Sequence, residues 1–429
     1  MKVLIAAGGS HGDILPFIAL GREFQRAGHE VRFYGHTVFA SIAEEAGLPF
    51  YGGGTREEYL EILQNPNTNH PLRSLKVIAD LVDRSGREFL DAMAADIVPG
   101  ETIIVNSVLA FGARAVAEIN GIPSATVHLQ PTAILRNCSE RTPGSGAGAV
   151  RDAVAQTFKN LSWYLIDKLL LDTTVGAALN RRRAAFGLPP VDRPFKRWIH
   201  DSDALVGLFP EWFAPPYRDE LPHLRLTGFP LYDGSSDALP AALEAFLARG
   251  EAPIAFTAGT ATAASHAFFS VSAEACRRSG RRGILLTHAP EQVPDPLPSG
   301  VIHCAYAPFS GLLPRVSAFV HHGGIGTLSQ ALKAGVPQLI RPMAHDQFDN
   351  ANRAVRLGVA LKIRAREYRL PKVIKALERL SGDLAMRERC MKIAAKCSDD
   401  SIATACKHIV DMLAPMASNE LGEGRGRLR

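Results

Sequence analysis

Residues 319–328, with the sequence Phe-Val-His-His-Gly-Gly-Ile-Gly-Thr-Leu, decide how the rest of this chain is interpreted. An apolar, strand-like run leads into two histidines and three glycines, which are His321, His322, Gly323, Gly324 and Gly326. Glycine lets a backbone approach a ligand closely, and the helix that follows presents free N–H groups and a positive dipole end. The stretch therefore predicts an anion site, to which His322 and Thr327 add side-chain donors. A plain glycine-rich turn with packing histidines is the alternative.

The composition indicates a globular enzyme of several domains. The chain has 429 residues, of which 46% are hydrophobic and 21% are charged. This length predicts about two to three domains, each with its own core. The net charge of +5 is modest, and part of it lies in the tail at residues 424–429. Because no run of Lys and Arg occupies one element of the folded part, a nucleic-acid partner is not expected.

Cysteine usage and hydropathy indicate a cytoplasmic protein. The six cysteines are scattered without a Cys-x-x-Cys pair, which is typical of reduced thiols. Residues 1–7 run directly into glycines, so they are predicted as a strand and not as a secretory signal. No stretch reaches the roughly 20 apolar residues of a spanning helix. Residues 163–179 carry three charges and could only form an amphipathic surface, which leaves peripheral contact with the inner membrane open.

Strands and helices alternate along the chain in two rounds. An apolar run at residues 3–7, a helix at 15–27 and a strand at 30–34 open the first round. A second round begins with a strand at residues 253–257. Continuous apolar strands separated by helices predict doubly wound parallel sheets, an α/β fold. The predicted divisions are a first domain at 1–225, a linker at 226–250, a second domain at 251–398, a terminal helix at 399–416 that packs back on the first domain, and a disordered tail at 417–429.

The glycines at residues 8–12 do not fit a dinucleotide-binding fingerprint. Their spacing is not Gly-x-Gly-x-x-Gly, and no acid ends the second strand, where Tyr34 stands instead. A nicotinamide cofactor is therefore disfavoured. Asp13 remains at a strand-to-helix corner, where a carboxylate serves either as a general base for a hydroxyl or as a helix N-cap. His11 is a weaker candidate for the base.

A second polar pair, Asp346 and Gln347, follows another predicted strand. Such a pair can clamp neighbouring hydroxyl groups, and a helix N-cap with a solvated neighbour is the alternative. The Asp-x-Asp pattern at Asp201 and Asp203 precedes a strand without other ligands nearby, so we interpret it as a turn. The histidines show no metal-ligand spacing, and neither a metal ion nor a cofactor is expected.

Three motifs together resemble the inverting nucleotide-sugar glycosyltransferases of the GT-B fold. Residues 9–17, GSHGDILPF, are similar to the opening signature of the sterol and antibiotic enzymes. The residues from His322 are similar to their phosphate loop, and residues 346–351, DQFDNA, are similar to their sugar clamp. Residues 208–216 and 227–235 are most similar to the rhamnosyltransferases of rhamnolipid synthesis. The resemblance implies two Rossmann-like parallel-sheet domains that face a central cleft, the first for the acceptor and the second for the donor.

The resemblance also implies roles for individual residues. Asp13 would be the general base, and His322, the glycines after it and Thr327 would hold the donor diphosphate. Tyr306 and Ala307 fall in the segment that binds the base. The implied donor site comprises Thr260, Tyr306, Ala307, His322, Gly323, Gly324, Gly326, Thr327, Asp346 and Gln347. The implied acceptor contacts are His11, Gln130 and Thr132, with loops around residues 139–170.

Some positions distinguish this chain from its relatives. Plant members of the family place a histidine where Asp13 stands and pair it with an acid; the matching position here is Asn106. Since a carboxylate base needs no such partner, Asp13 with Asn106 is self-consistent. His11, His322 and Thr327 depart from the rhamnosyltransferase pattern, which leaves the donor sugar open.

We therefore expect an inverting, metal-independent glycosyltransferase that uses a dTDP- or UDP-sugar, such as a dTDP-deoxysugar, and a hydrophobic hydroxyl acceptor. A nucleotide-sugar epimerase and an inactive nucleotide-sugar-binding protein are the alternatives. Formation of a homodimer stays open.

Overall fold

The strands form two separate sheets, each built only of parallel strands. The computed structural model describes residues 1–65, 67–68, 73–84, 87–134, 165–215, 221, 223–232, 234, 238–259 and 265–419. Strands β1 to β7 are Lys2–Ala6, Glu30–His36, Phe50–Gly53, Thr102–Ser107, Ser124–His128, Ala204–Gly207 and Leu224–Leu226. Strands β8 to β13 are Ile254–Thr257, Gly283–Leu286, Val301–Cys304, Ala318–His321, Gln338–Ile340 and Ala360–Lys362. The predicted α/β class with two parallel sheets is confirmed.

The first sheet has the order β3-β2-β1-β4-β5-β6-β7 among the described strands. Its central strands are buried on both faces, and the side chains of Val3, Leu4 and Ile5 in β1 are completely inaccessible. This explains why they form a continuous apolar run. The strand order reverses between β1 and β4, and there the N–H of Gly8 donates to Oγ of Ser107 over 3.2 Å.

The second sheet repeats this arrangement with the order β10-β9-β8-β11-β12-β13. Its order reverses between β8 and β11, the two strands that precede Gly259 and the stretch from His322. Ligands of open α/β sheets bind beyond the carboxyl ends of the strands at such a reversal. The fold therefore places the glycine-rich stretch where a ligand is expected.

The helices connect successive strands and cover the sheets. The α-helices among the described residues are His11–Arg26, Ala40–Glu45, Arg56–Gln64, Ser74–Arg84, Arg87–Ala95, Phe111–Asn120, Pro131–Ile134, Ala177–Ala185, Ala241–Leu247, His266–Ser279, Phe309–Leu312, Ile325–Lys333, Gln347–Arg356, Leu370–Gly382, Leu384–Ala394 and Ser401–Asn419. A π-helix spans Asp167–Gly176. None of the described helices combines the length and apolarity needed to cross a bilayer.

The chain divides into two compact units. The first comprises Met1–Gly8, Leu20–Thr227 and Ala403–Arg429, and the second comprises Gly9–Ala19 and Gly228–Ile402. In the first unit the Sγ of Cys406, on the last helix, lies 3.6 Å from the carbonyl oxygen of Leu20. The turn that carries Asp13 lies within Gly9–Ala19 and so belongs to the second unit, together with the second sheet.

Several predicted boundaries are wrong. The first helix begins at His11, not at residue 15, because the carboxylate of Asp13 accepts the N–H of Ser10 and ends the preceding loop. The linker is shorter than predicted: the helix Ala241–Leu247 lies within it, and Leu243 is buried in the core of the second sheet.

The C-terminal prediction also needs correction. The terminal helix predicted at residues 399–416 spans Ser401–Asn419, and a separate helix, Leu384–Ala394, precedes it. Between them the N–H of Asp400 bonds Oγ of Ser398 over 3.1 Å, a local turn that competes with helix. The last helix continues to Asn419 with Ala417 buried, so the tail predicted as disordered from residue 417 begins too early.

Candidate functional site

The glycine-rich stretch forms a sharp turn from β11 into a helix. Gly323 has a φ of +92°, which strongly favours glycine, and Gly324 is the N-cap of the helix Ile325–Lys333. The helix begins at Ile325, so Gly326 and Thr327 lie in its first turn. The N-cap Gly324 has no side chain that could cap this end, and a Cβ on Gly326 would meet open space. The first-turn N–H groups are therefore available to an anion.

His321 holds this turn in shape. Its Nδ1 accepts the N–H of Gly323 over 3.1 Å, and its Nε2 lies 3.0 Å from Oε1 of Gln338. Because Nδ1 accepts, the proton resides on Nε2 and is donated to Gln338. Burial lowers the pKa of His321 to about 3, so the ring is neutral. The structure thus assigns His321 to the support of the loop.

His322 packs into a gap that only glycine neighbours leave open. A Cβ on Gly259 would lie 2.6 Å from its Cε1, and a Cβ on Gly324 would lie 2.5 Å from its Nε2. Gly259 also has a φ of +84°. Burial lowers the pKa of His322 to about 4, and its buried Nδ1 has no hydrogen-bond partner among the described residues. At neutral pH His322 can donate one N–H to a phosphate oxygen but brings no positive charge.

The side chain of Asp346 does not cap a helix, although a helix N-cap was the alternative interpretation of this residue. It occupies the N-cap position of the helix Gln347–Arg356, yet its side chain makes no capping bond. Its Oδ2 instead accepts Nδ2 of Asn350 over 2.6 Å, and the same Nδ2 donates to the carbonyl of Gly323 over 3.0 Å. Burial raises the pKa of Asp346 to about 7; the bond from Asn350 opposes this rise, and the charge of Asp13 adds to it.

Gln347 uses one end of its amide to shape the neighbouring turn. Its Oε1 accepts the N–H groups of Met343 and Ala344 over 2.8 and 3.1 Å. This turn includes His345 with a φ of +52°. The Nε2 group of Gln347 has no partner in the described part of the chain, so two donors remain for a ligand.

Asp13 is the third residue of the helix His11–Arg26, so it does not occupy the N-cap position that was one of its two alternatives. Its Oδ2 accepts the N–H of Ser10 over 2.8 Å and the O–H of Ser10 over 3.0 Å. Burial raises the pKa of Asp13, and the bonds from Ser10 and the charge of His345 oppose the rise. A raised pKa makes a carboxylate a stronger base, so the bonds to Ser10 are compatible with catalysis. A Cβ on Gly9 would lie 2.5 Å from Oδ2 of Asp13, so glycine is required there.

Tyr306 and His288 form an exposed aromatic pair in the second unit. Their ring centroids are 5.9 Å apart at an interplanar angle of 17°, and Tyr306 is 49% exposed. Ala307 beside them is buried. Burial lowers the pKa of His11, and the charge of His288 lowers it further. An exposed aromatic face of this kind can stack on a planar base.

The remaining predicted contacts are separate from this group. Thr260 lies outside the described residues, as does most of the segment 139–170. Gln130 and Thr132 belong to the first unit, where the buried Oγ1 of Thr132 has no hydrogen-bond partner in the described part of the chain. These positions stay predictions.

Asp203 and Asn106, which the sequence analysis also considered, make hydrogen bonds within the first sheet. The carboxylate of Asp203 accepts the N–H of Ser124 over 2.9 Å, so this side chain of the Asp-x-Asp pattern joins the start of β6 to the start of β5. Asn106 donates to the carbonyl of Ser107 and to Oγ1 of Thr126. Within the described ranges, no three His, Cys, Asp or Glu side chains converge as a metal site requires.

Three residues of this site had no individual role in the sequence prediction. Gly259 makes room for His322, His321 holds Gly323, and Asn350 joins Asp346 to the glycine turn. Only Asn350 left a clear signal, since it stands four residues after Asp346 and thus on the same face of a helix.

Comparisons with known proteins agree with this geometry. Residues 3–136 match the model of the glycosyltransferase family 28 N-terminal domain, and residues 284–414 match that of the erythromycin biosynthesis protein CIII-like C-terminal domain. The chain is 27% identical over 418 residues to an O-mycaminosyltylonolide 6-deoxyallosyltransferase of Streptomyces fradiae, with 94% of each protein covered.

Two solved structures show the same fold. The glycotransferase of kitacinnamycin has a TM-score of 0.71 at 21% identity, covering 96% of this chain and 99% of its own. The glycosyltransferase VinC, solved in complex with dTDP, has a TM-score of 0.67 at 19% identity, covering 97% and 100%. The resemblance to GT-B glycosyltransferases of the antibiotic type is confirmed, and the closer likeness to rhamnolipid rhamnosyltransferases stays a prediction.

Proposed function

Because this chain is a nucleotide-sugar-dependent glycosyltransferase of the GT-B type, we propose that it transfers a deoxysugar, such as rhamnose, to a hydroxyl of a lipid or natural-product acceptor. The donor is a dTDP-sugar, with a UDP-sugar as the second choice. Two similarities support this choice: the relative from Streptomyces fradiae is named a deoxyallosyltransferase, and VinC binds dTDP.

The observation that carries the proposal is the bridge made by Asn350. Its Nδ2 bonds both the carboxylate of Asp346 and the carbonyl of Gly323. One fully buried amide thereby holds a hydroxyl-binding carboxylate at a fixed distance from the turn that presents free N–H groups. A ligand with a sugar at one end and a diphosphate at the other matches this pair.

Transfer proceeds as a single displacement with inversion. Asp13 takes the proton of the acceptor hydroxyl while its oxygen bonds the anomeric carbon. The bond from that carbon to the diphosphate oxygen breaks, and its electron pair leaves with the nucleoside diphosphate. The first-turn N–H groups and His322 stabilise that leaving group, and Asp346 and Gln347 bind the sugar hydroxyls. These fixed donors make a metal ion unnecessary in the proposed reaction.

The variant Asp13→Asn tests the role of the base. An asparagine keeps an oxygen that can accept the N–H of Ser10, so the helix start is retained while the base is lost. We expect transfer to fall about 10²- to 10⁴-fold, with dTDP affinity unchanged. Ser10→Ala is the matched control, because it removes one bond to Asp13 and keeps the carboxylate.

Transfer by Asp13→Asn at the wild-type rate would remove Asp13 from this role. A donor assay without acceptor separates the epimerase alternative, which predicts conversion of the sugar nucleotide on its own.

A further inference from the structure

Arg341 directly follows β12, next to the glycine-rich turn. Its N–H donates to the carbonyl of His321 over 2.8 Å. In the pairing of β11 with β12, His321 stands opposite Ile340, the last paired residues of the two strands. Arg341 and His322 therefore directly follow two neighbouring strand ends at the carboxyl edge of the sheet.

The guanidinium of Arg341 has a poor set of acceptors. The Cζ atom of Arg341 lies 5.5 Å from the ring centroid of Phe268 and 5.6 Å from that of Tyr368. Its Nη1 lies 2.6 Å from the thioether sulfur of Met343, a weak acceptor, and its buried Nε has no hydrogen-bond partner among the described residues. The surroundings of this cation in the described part of the chain are thus two aromatic rings and a sulfur.

No carboxylate of the described residues forms an ion pair with Arg341. The loop that joins β8 to the helix of Phe268 has the sequence Thr-Ala-Thr-Ala-Ala at residues 260–264, so it contains no acid either. Burial lowers the pKa of Arg341, which reflects the cost of holding this cation away from water. A partly buried cation without a counter-ion is unfavourable unless an anionic ligand supplies one.

The neighbouring anion site lacks a formal positive charge. His322 is neutral, Thr327 is an alcohol, and the helix N-terminus contributes only about half an elementary charge. A diphosphate carries more than one negative charge, and its charge grows as the sugar leaves. On the basis of the proposed function, we propose that Arg341 supplies the fixed positive charge that binds the diphosphate of the donor.

Binding of a ligand series tests this assignment. Calorimetry would measure the affinities of thymidine, thymidine monophosphate and dTDP for wild type, Arg341→Gln and Arg341→Lys. We expect Arg341→Gln to weaken dTDP about 10- to 100-fold, the value of a charge-assisted hydrogen bond, and to leave thymidine unchanged. Arg341→Lys should keep the salt dependence of dTDP binding, because it keeps the charge.

Arg277→Gln is the matched control. It removes an exposed charge from the same helix as Phe268, where Arg277 pairs with Glu274, and should leave all three affinities unchanged. Equal losses for thymidine and dTDP in Arg341→Gln, or no loss, would overturn the proposal and leave Arg341 as a packing residue. If Arg341→Gln does not fold, loss of the salt dependence in Arg341→Lys overturns it instead. Failure of wild type to bind dTDP at all would overturn the proposed dTDP donor.

Discussion

Replacement of Asn350 by alanine tests whether one amide joins Asp346, a residue of the proposed sugar site, to the glycine turn. Asn350 is fully buried and donates to Asp346 over 2.6 Å and to Gly323 over 3.0 Å. A bond to an ionised carboxylate contributes about 1.5–3 kcal/mol and one to a carbonyl about 0.5–1.5 kcal/mol. At pH 8, where Asp346 is ionised, Asn350→Ala should therefore lower the free energy of unfolding by about 2–4 kcal/mol.

The loss of unfolding free energy caused by Asn350→Ala should be smaller at acidic pH. Asp346 has a pKa of about 7, and the bond from Asn350 holds it below the value that burial alone would give. The bond to the ionised form is thus fully present above pH 7 and is lost as the pH falls through that value. At pH 5 both bonds join neutral groups, and the expected cost is about 1–3 kcal/mol.

Urea unfolding followed by circular dichroism at pH 5 and pH 8 measures both values. The control is Asn352→Ala on the same helix, where Asn352 is exposed and accepts a bond from Lys362; its expected cost is below about 0.5 kcal/mol at either pH. A cost for Asn350→Ala as small as that of the control, or larger at pH 5 than at pH 8, would refute the reasoning.

Two further substitutions follow from the same contacts. In Gly259→Ala the new Cβ would lie 2.6 Å from His322, and the alanine would have to adopt a φ of +84°. The affinity for dTDP, measured by isothermal calorimetry, should therefore fall at least about tenfold. The control Gly280→Ala has a similar φ of +63° but open space around the new Cβ, and should keep the affinity. Burial raises the pKa of Asp346 from 3.8 to about 7, so wild type loses stability as the pH rises through this window. Asp346→Asn does not titrate, and its stability relative to wild type should rise by up to about 4 kcal/mol between pH 4 and pH 8 in urea unfolding.

The sheets were predictable because their strands are buried on both faces. A parallel strand covered by helices is mostly apolar, so β1 and β11 are visible as short apolar runs with glycines shortly after them. Helix starts were less visible. The pattern from Ser10 to Asp13 is itself a start signal, but the glycines around it favoured a loop.

The site was predictable where one short stretch supplies its chemistry. The glycine turn and the pair Asp346 and Gln347 could be identified from sequence because each stands beside a strand end. The contact between Gly259 and His322 could not be, because it depends on the pairing of β8 with β11. The protonation states could not be predicted either, since burial sets them and burial follows from the whole core.

The protonation states explain how the donor side can hold a charged ligand without strong repulsion. Two histidines are neutral, and Asp346 titrates near pH 7 because burial and the charge of Asp13 both disfavour its ionised form. A protonated Asp346 adds no negative charge beside the diphosphate and can donate as well as accept a hydrogen bond. Because two neighbouring carboxyl groups resist ionising together, the proton on Asp346 also favours an ionised Asp13, the form that a general base requires.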